Sequence, residues 1–217
     1  MREGAYGFEG LPLADVEAGS SVLIAGPPHG GARTLALRML AGAAEEGTVV
    51  VTTNRRAGRL AGDCERAGIA MDAERTAIID CVGGEDADVS ARVLPVSGPS
   101  DLTGIGMRFS DVHRSFERAG VDGVRTGVCS LSTLLSFGEL QSVSRFVHTL
   151  VGRVDSVDGL GVFLVDPAMH DERALSTLSQ FCSGRIDVRE GEDGAELRAR
   201  GLSGQSREWV GFDATLE

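Results

Sequence analysis

In Ser21-Val22-Leu23-Ile24-Ala25-Gly26-Pro27-Pro28-His29-Gly30-Gly31-Ala32-Arg33-Thr34-Leu35-Ala36-Leu37, an apolar run enters a Pro/Gly loop and a helical pattern follows at once. Buried strand, glycine turn and helix N-terminus in that order make a phosphate-binding loop, because turn amides and the helix end converge on an anion. Gly26 and Gly31 stand at the spacing of the two glycines in G-x-x-x-x-G-K-[ST]. The next two positions depart from that pattern. Ala32 stands at the lysine and Arg33 at the Ser or Thr, with Thr34 one place late. The stretch predicts a nucleotide-binding α/β fold with altered chemistry.

Outward from the loop, composition sets the bounds. The 217 residues suffice for one sizeable α/β domain, expected over 1–217, with a core at about 20–182 and a C-terminal β extension at 183–212. Apolar runs such as Val49–Val51 and Val162–Val165 are strand-length and far short of a membrane span. With no basic, apolar leader, the expected location is the cytoplasm, away from membranes.

The net charge is −11, and all 21 basic residues are arginine. An acidic, lysine-free surface suits a cytoplasm of high salt, and a GC-rich genome would also replace Lys by Arg. The same acidity argues against nucleic acid as a partner, which calls for a basic stripe. With 32 acidic residues repelling one another, the melting temperature is expected to rise from dilute buffer to molar KCl, as screening grows. Scanning calorimetry at the two salt concentrations checks this, and a flat or falling value contradicts it.

Cys64, Cys81, Cys129 and Cys182 lie far apart with no C-x-x-C pair, and His29, His113, His148 and His170 are equally scattered. Those spacings predict neither a metal site nor a disulfide framework.

Along the chain, Met1–Gly19 reads as irregular. Strands are expected at Ser20–Ala25, Thr48–Thr53, Thr76–Cys81, Ala91–Val96, Val124–Cys129 and Leu160–Asp166. Their continuous apolar character fits a parallel sheet covered on both faces. Helices are expected at Ala32–Ala44, Arg55–Ala67, Ile105–Ala119, Ser130–Phe137, Gly138–Val154 and Glu172–Cys182, the third capped by Asp101 or Thr103. Arg55, Arg56 and Arg59 read as a solvated helix face, and Gly83–Val89 as an acidic loop. Arg185–Glu190, Ala195–Gly201 and Glu208–Phe212 alternate polar with apolar, which predicts a terminal antiparallel hairpin or meander. Strands alternating with helices give a doubly wound, mostly parallel sheet.

Gly26-Pro27-Pro28-x-x-Gly31-x-x-Thr34-Leu35-Ala36-Leu37 resembles the phosphate loop of the KaiC-like branch of the RecA superfamily. Glu17–Ser21 resembles the entry to that loop, Gly47–Ala67 the strand and helix that follow, and Thr76–Asp80 a later strand. Arg125–Ser132 resembles the magnesium-site strand, and Gly138–Asp166 the long helix and final core strand. The similarity covers roughly residues 5–182 and extends, through Asp101–Gly106, to uncharacterised haloarchaeal relatives of KaiC.

The resemblance implies ATP as cofactor, held by Gly26, Pro27, Pro28, His29, Gly30, Gly31, Ala32, Arg33 and Thr34. It also implies a lysine on the phosphates, a hydroxyl and an aspartate on Mg²⁺, and a glutamate that polarises water. Here those positions hold Ala32, Arg33, Cys129 and, after the second strand, Asn54. With four roles changed together, no catalytic residue and no Mg²⁺ site are expected. Asp166, after the apolar run Val162–Val165, and Asp80, at a strand end, are the carboxylates that could substitute; Asp166 before Pro167 equally suits a turn.

Two function classes follow. The first is a non-catalytic regulatory or signalling module that acts through contacts with a protein partner or with further copies of itself. The second is a slow ATPase with substituted ligands, favoured by the retained glycines.

Overall fold

The computed structural model describes residues 4–84 and 89–216, so 85–88 of the expected acidic loop lie outside the described residues. Strand β1 (Ala5–Tyr6) pairs antiparallel with β2 (Val16–Glu17), so the lead-in expected to be irregular is tied down by a short ribbon. Then come β3 (Ser21–Ala25), α1 (Arg33–Leu40), β4 (Gly47–Thr52), α2 (Ala57–Arg66), β5 (Thr76–Asp80), β6 (Arg92–Pro95) and α3 (Leu102–Arg118). They are followed by β7 (Val124–Cys129), α4 (Leu131–Phe137), α5 (Leu140–Ser156), β8 (Leu160–Val165) and α6 (Glu172–Ser179). The chain closes with β9 (Gly184–Gly191), β10 (Gly194–Arg200) and β11 (Val210–Gly211).

Nine strands form one sheet in the order β11-β10-β9-β3-β8-β7-β4-β5-β6. From β9 to β6 every pairing is parallel. The terminal ribbon β9-β10-β11 is antiparallel, as its alternation predicts, and it joins the sheet by laying β9 parallel to β3.

Every residue of β3, β4, β5, β7 and β8 is buried, because helices cover both faces. Successive side chains divide between two layers. Val22, Ile24, Val50, Ile78, Val162 and Leu164 pack with α1 and α2. Leu23, Val49, Val51, Ile79, Phe163 and Val165 pack with α3, α5 and α6.

Helix ends differ from the expected ones for local reasons. Helix α1 stops at Leu40 because Ala41 is extended, and the Thr48 hydroxyl donates to the Leu40 carbonyl at 3.2 Å. Helix α2 starts at Ala57, since Thr52 Oγ1 donates to the Arg55 carbonyl at 2.6 Å and Arg56 is extended. Asp101 caps α3 by accepting from the Gly104 amide at 2.8 Å. Arg55 is no part of a solvated helix face: it folds back on buried Asp63 at 2.7 Å, which also holds Arg66 at 2.5 Å.

On α3, His113 packs at a tilt against Phe109 with ring centroids 4.3 Å apart, beside a cavity between α3 and α5 that Arg114, Glu117 and Arg153 also line. Burial, with the like charge of Arg153, pushes the imidazole down to about 4. The unfolded chain takes this proton near 6.5 and the folded protein only near 4, so stability falls as pH drops through that interval. The loss reaches about 3 kcal/mol at the lower end. Urea midpoints for the parent and His113→Gln between pH 4 and 7 should show a steeper decline in the parent; parallel curves contradict it.

Candidate functional site

The loop after β3 is shaped by close approach on two sides. The Gly26 amide donates to the Val165 carbonyl at 3.1 Å. A Cβ on Gly26 would lie 2.8 Å from both Cβ and the carbonyl oxygen of Val188 on β9, so only glycine fits. Pro27 is extended, Pro28–Ala32 winds through a tight turn that is not regular helix, and the Gly30 amide donates to the Pro27 carbonyl at 3.0 Å. Inside that turn Gly30 has φ −91°, ψ 22° and Gly31 φ 95°, ψ −12°. A right-handed residue followed by a left-handed one makes the backbone concavity that cradles anions. Ala195 on β10, with Phe212 and Ala214, backs Gly31 from behind. Pro27 and His29 are exposed, whereas Ala32, Arg33 and Thr34 are buried as α1 begins.

The ends of β4 and β7 face this loop along the same sheet edge. Thr52 pairs with Cys129 in register. The Thr53 amide donates to the Cys129 carbonyl at 3.1 Å, and Thr53 Oγ1 accepts from the Ser130 amide at 2.7 Å. The Cys129–Ser130 peptide is cis. From the first turn of α1, Arg33 Nη2 donates to Asn54 Oδ1 at 3.4 Å. Burial pushes the Cys129 thiol up to about 11, with Arg33 opposing it, so Cys129 is neutral at pH 7. Burial likewise lowers the Arg33 guanidinium from its ordinary value; Cys129 and Asp63 act to raise it and Arg55 to lower it.

The structure thus brings Arg33, Asn54 and Cys129 together beside the loop. The two candidate carboxylates are engaged in their own turns. Asp80, at the end of β5, accepts from the amides of Val82 at 2.8 Å and Gly83 at 3.2 Å. Asp166 accepts from the Ala168 amide at 3.0 Å, and its own amide donates to Ser132 Oγ at 2.9 Å. Asp63, between Arg55 and Arg66, was not singled out from sequence; an acid on an arginine-bearing helix was the available signal.

The residues present do not fit Mg²⁺. That ion takes oxygen ligands in an octahedral shell, and the local groups are a guanidinium, an amide and a neutral thiol. The turn amides and the Arg33 guanidinium are groups that suit an anion rather than a cation.

The nine-stranded α/β sheet, with a glycine loop after β3, has a fold similar to several solved structures, a KaiC-like protein among them. An uncharacterised protein of Pyrococcus horikoshii, PH0321, solved with an unknown peptide, has 13% identity and a TM-score of 0.68 over 92% of this chain and 90% of that one. The KaiC-like protein PH0186 of Pyrococcus horikoshii OT3 has 15% identity and a TM-score of 0.63 over 89% of this chain and 83% of that one. A third, PH0250 of the same source, has 16% identity and a TM-score of 0.61 over 89% of this chain and 93% of that one. No protein of curated function matches the chain in sequence. The chain belongs to DUF7504, a family of unknown function, whose model matches residues 19–188. Among the described residues no helix is long and apolar enough to cross a membrane.

Proposed function

We propose that this protein is a non-hydrolysing KaiC/RecA-like module that regulates by protein contact and keeps an anion-binding phosphate loop. One observation carries the reading: the strand-end position for a metal carboxylate holds the buried, neutral thiol of Cys129, while Asp80 and Asp166 are tied to their own turn amides. Phosphoryl transfer relies on positioned charge around the phosphates and the attacking water. Here the charges at those places are missing or inverted. Protein contact as the mode of action is supported by PH0321, which was solved holding a peptide on the same fold.

The second reading, a slow ATPase, draws on the retained loop geometry at Gly26, Gly30 and Gly31. Phosphate release from ATP at high KCl with Mg²⁺ separates the two. The proposed module releases phosphate at the rate of buffer alone; magnesium-dependent turnover would establish the ATPase.

A further inference from the structure

Arg33 is a cation short of partners. It is more than nine-tenths buried, at 8% exposed. Among the described residues its Nη1 has no hydrogen-bond partner, and Nη2 has one long contact, 3.4 Å to the neutral Asn54 amide. Asp63, whose charge reaches it, already holds Arg55 and Arg66. A buried charge without a counter-charge is unfavourable, and a guanidinium does not shed its proton. Arg33, Arg55 and Arg66 share the charge of one carboxylate, which leaves a positive excess, and Arg33 is the first residue of α1, directly after the Gly30–Gly31 turn.

Building on the phosphate-loop reading above, we infer that Arg33 is a built-in counter-cation in place of a divalent metal, so that the loop binds adjacent phosphates of a polyphosphate anion without metal. The planar fork spans two phosphate oxygens, and the start of α1 with the glycine turn adds fixed partial positive charge. A divalent ion on the ligand would neutralise the anion and be repelled by the fixed guanidinium. Magnesium therefore weakens binding here, the reverse of a metal-requiring site.

The test is calorimetric titration of inorganic pyrophosphate, and in parallel ATP, into the full chain in EDTA or in Mg²⁺. Pyrophosphate binds in EDTA and more weakly in Mg²⁺. Arg33→Met weakens it about tenfold or more, as loss of a charge-assisted contact does, and Arg33→Lys retains part of the affinity. Without ligand, Arg33→Met melts above the parent, because a buried unpaired charge is gone, which also reports that it folds. ATP binding tighter than pyrophosphate marks a nucleotide as the ligand; equal binding marks the polyphosphate alone. An unchanged affinity in Arg33→Met overturns the inference. Binding by the parent only with Mg²⁺ overturns it too, while leaving the phosphate loop as an anion site. No binding by the parent in either condition removes both.

Discussion

Ala32→Lys leaves phosphate release from Mg-ATP at the rate of buffer alone, and it tightens ATP binding. Ala32 is fully buried at the start of α1, and its Cβ lies 3.1 Å from where a Cβ on Gly26 would stand. A lysine there has to extend along the loop, where it adds a second cation to Arg33. Binding gains from it in both ground state and transition state, which does not by itself speed a chemical step. On the proposed reading, Arg33, Asn54 and Cys129 still occupy the positions at which KaiC-like proteins carry the metal hydroxyl, the water-polarising carboxylate and the metal carboxylate. Loss of a single preorganised stabiliser typically costs ~3–4 kcal/mol of transition-state stabilisation. Three such losses leave no measurable rate even with strong non-additivity. Phosphate release and calorimetric affinity, measured on parent and variant at high KCl, check both halves. Turnover by either protein would overturn the non-hydrolysing reading.

Arg125→Met should cost about 3–5 kcal/mol, the usual loss when one partner of a buried ion pair is removed. Arg125 rises from β7 and is 3% exposed. Its Nε meets Glu46 Oε2 at 2.7 Å, and Nη1 donates to the carbonyls of Met39 at 2.9 Å and Gly7 at 3.2 Å. Its guanidinium lies over the rings of Tyr6 and Phe8, at 5.1 and 5.7 Å from their centres. One side chain thus joins the C-terminal end of α1, the approach to β4 and the β1–β2 ribbon. For a chain of this size the loss corresponds to a fall in Tm of about 10 °C. The double variant Arg125→Met/Glu46→Gln should recover part of it, since the buried group that faces position 125 is then neutral. A single variant within about 1 kcal/mol of the parent in urea unfolding would show the pair to be dispensable.

The sheet was legible because its strands are buried on both faces and so appear as unbroken apolar runs, Ser21–Ala25 and Leu160–Val165 above all. Two features escaped. The alternation in 185–190 shows a strand with one polar face, and period alone does not say that its neighbour is β3 and parallel. The pairing of Ala5–Tyr6 with Val16–Glu17 is too short to leave a period at all. In the candidate site, the positions of Gly26 and Gly31 could be read from spacing, whereas the reason for Gly26 could not. That reason is Val188, far along the chain. That Arg33 is buried, and not a surface arginine, could not be read from its place on the first helical turn.

Strand β3 lies between β8 and β9, and the turn at Gly26–Gly31 rests on Val188, Ala195, Phe212 and Ala214. During synthesis, therefore, the ribosome releases the loop long before the residues that hold it in shape. At ~5–20 residues per second the interval is on the order of ten seconds. Until β8 emerges β3 has two unpaired edges, each a template for the wrong strand, and one stays open until β9 follows. The turn can take its shape only once β9 and β10 have arrived to back it.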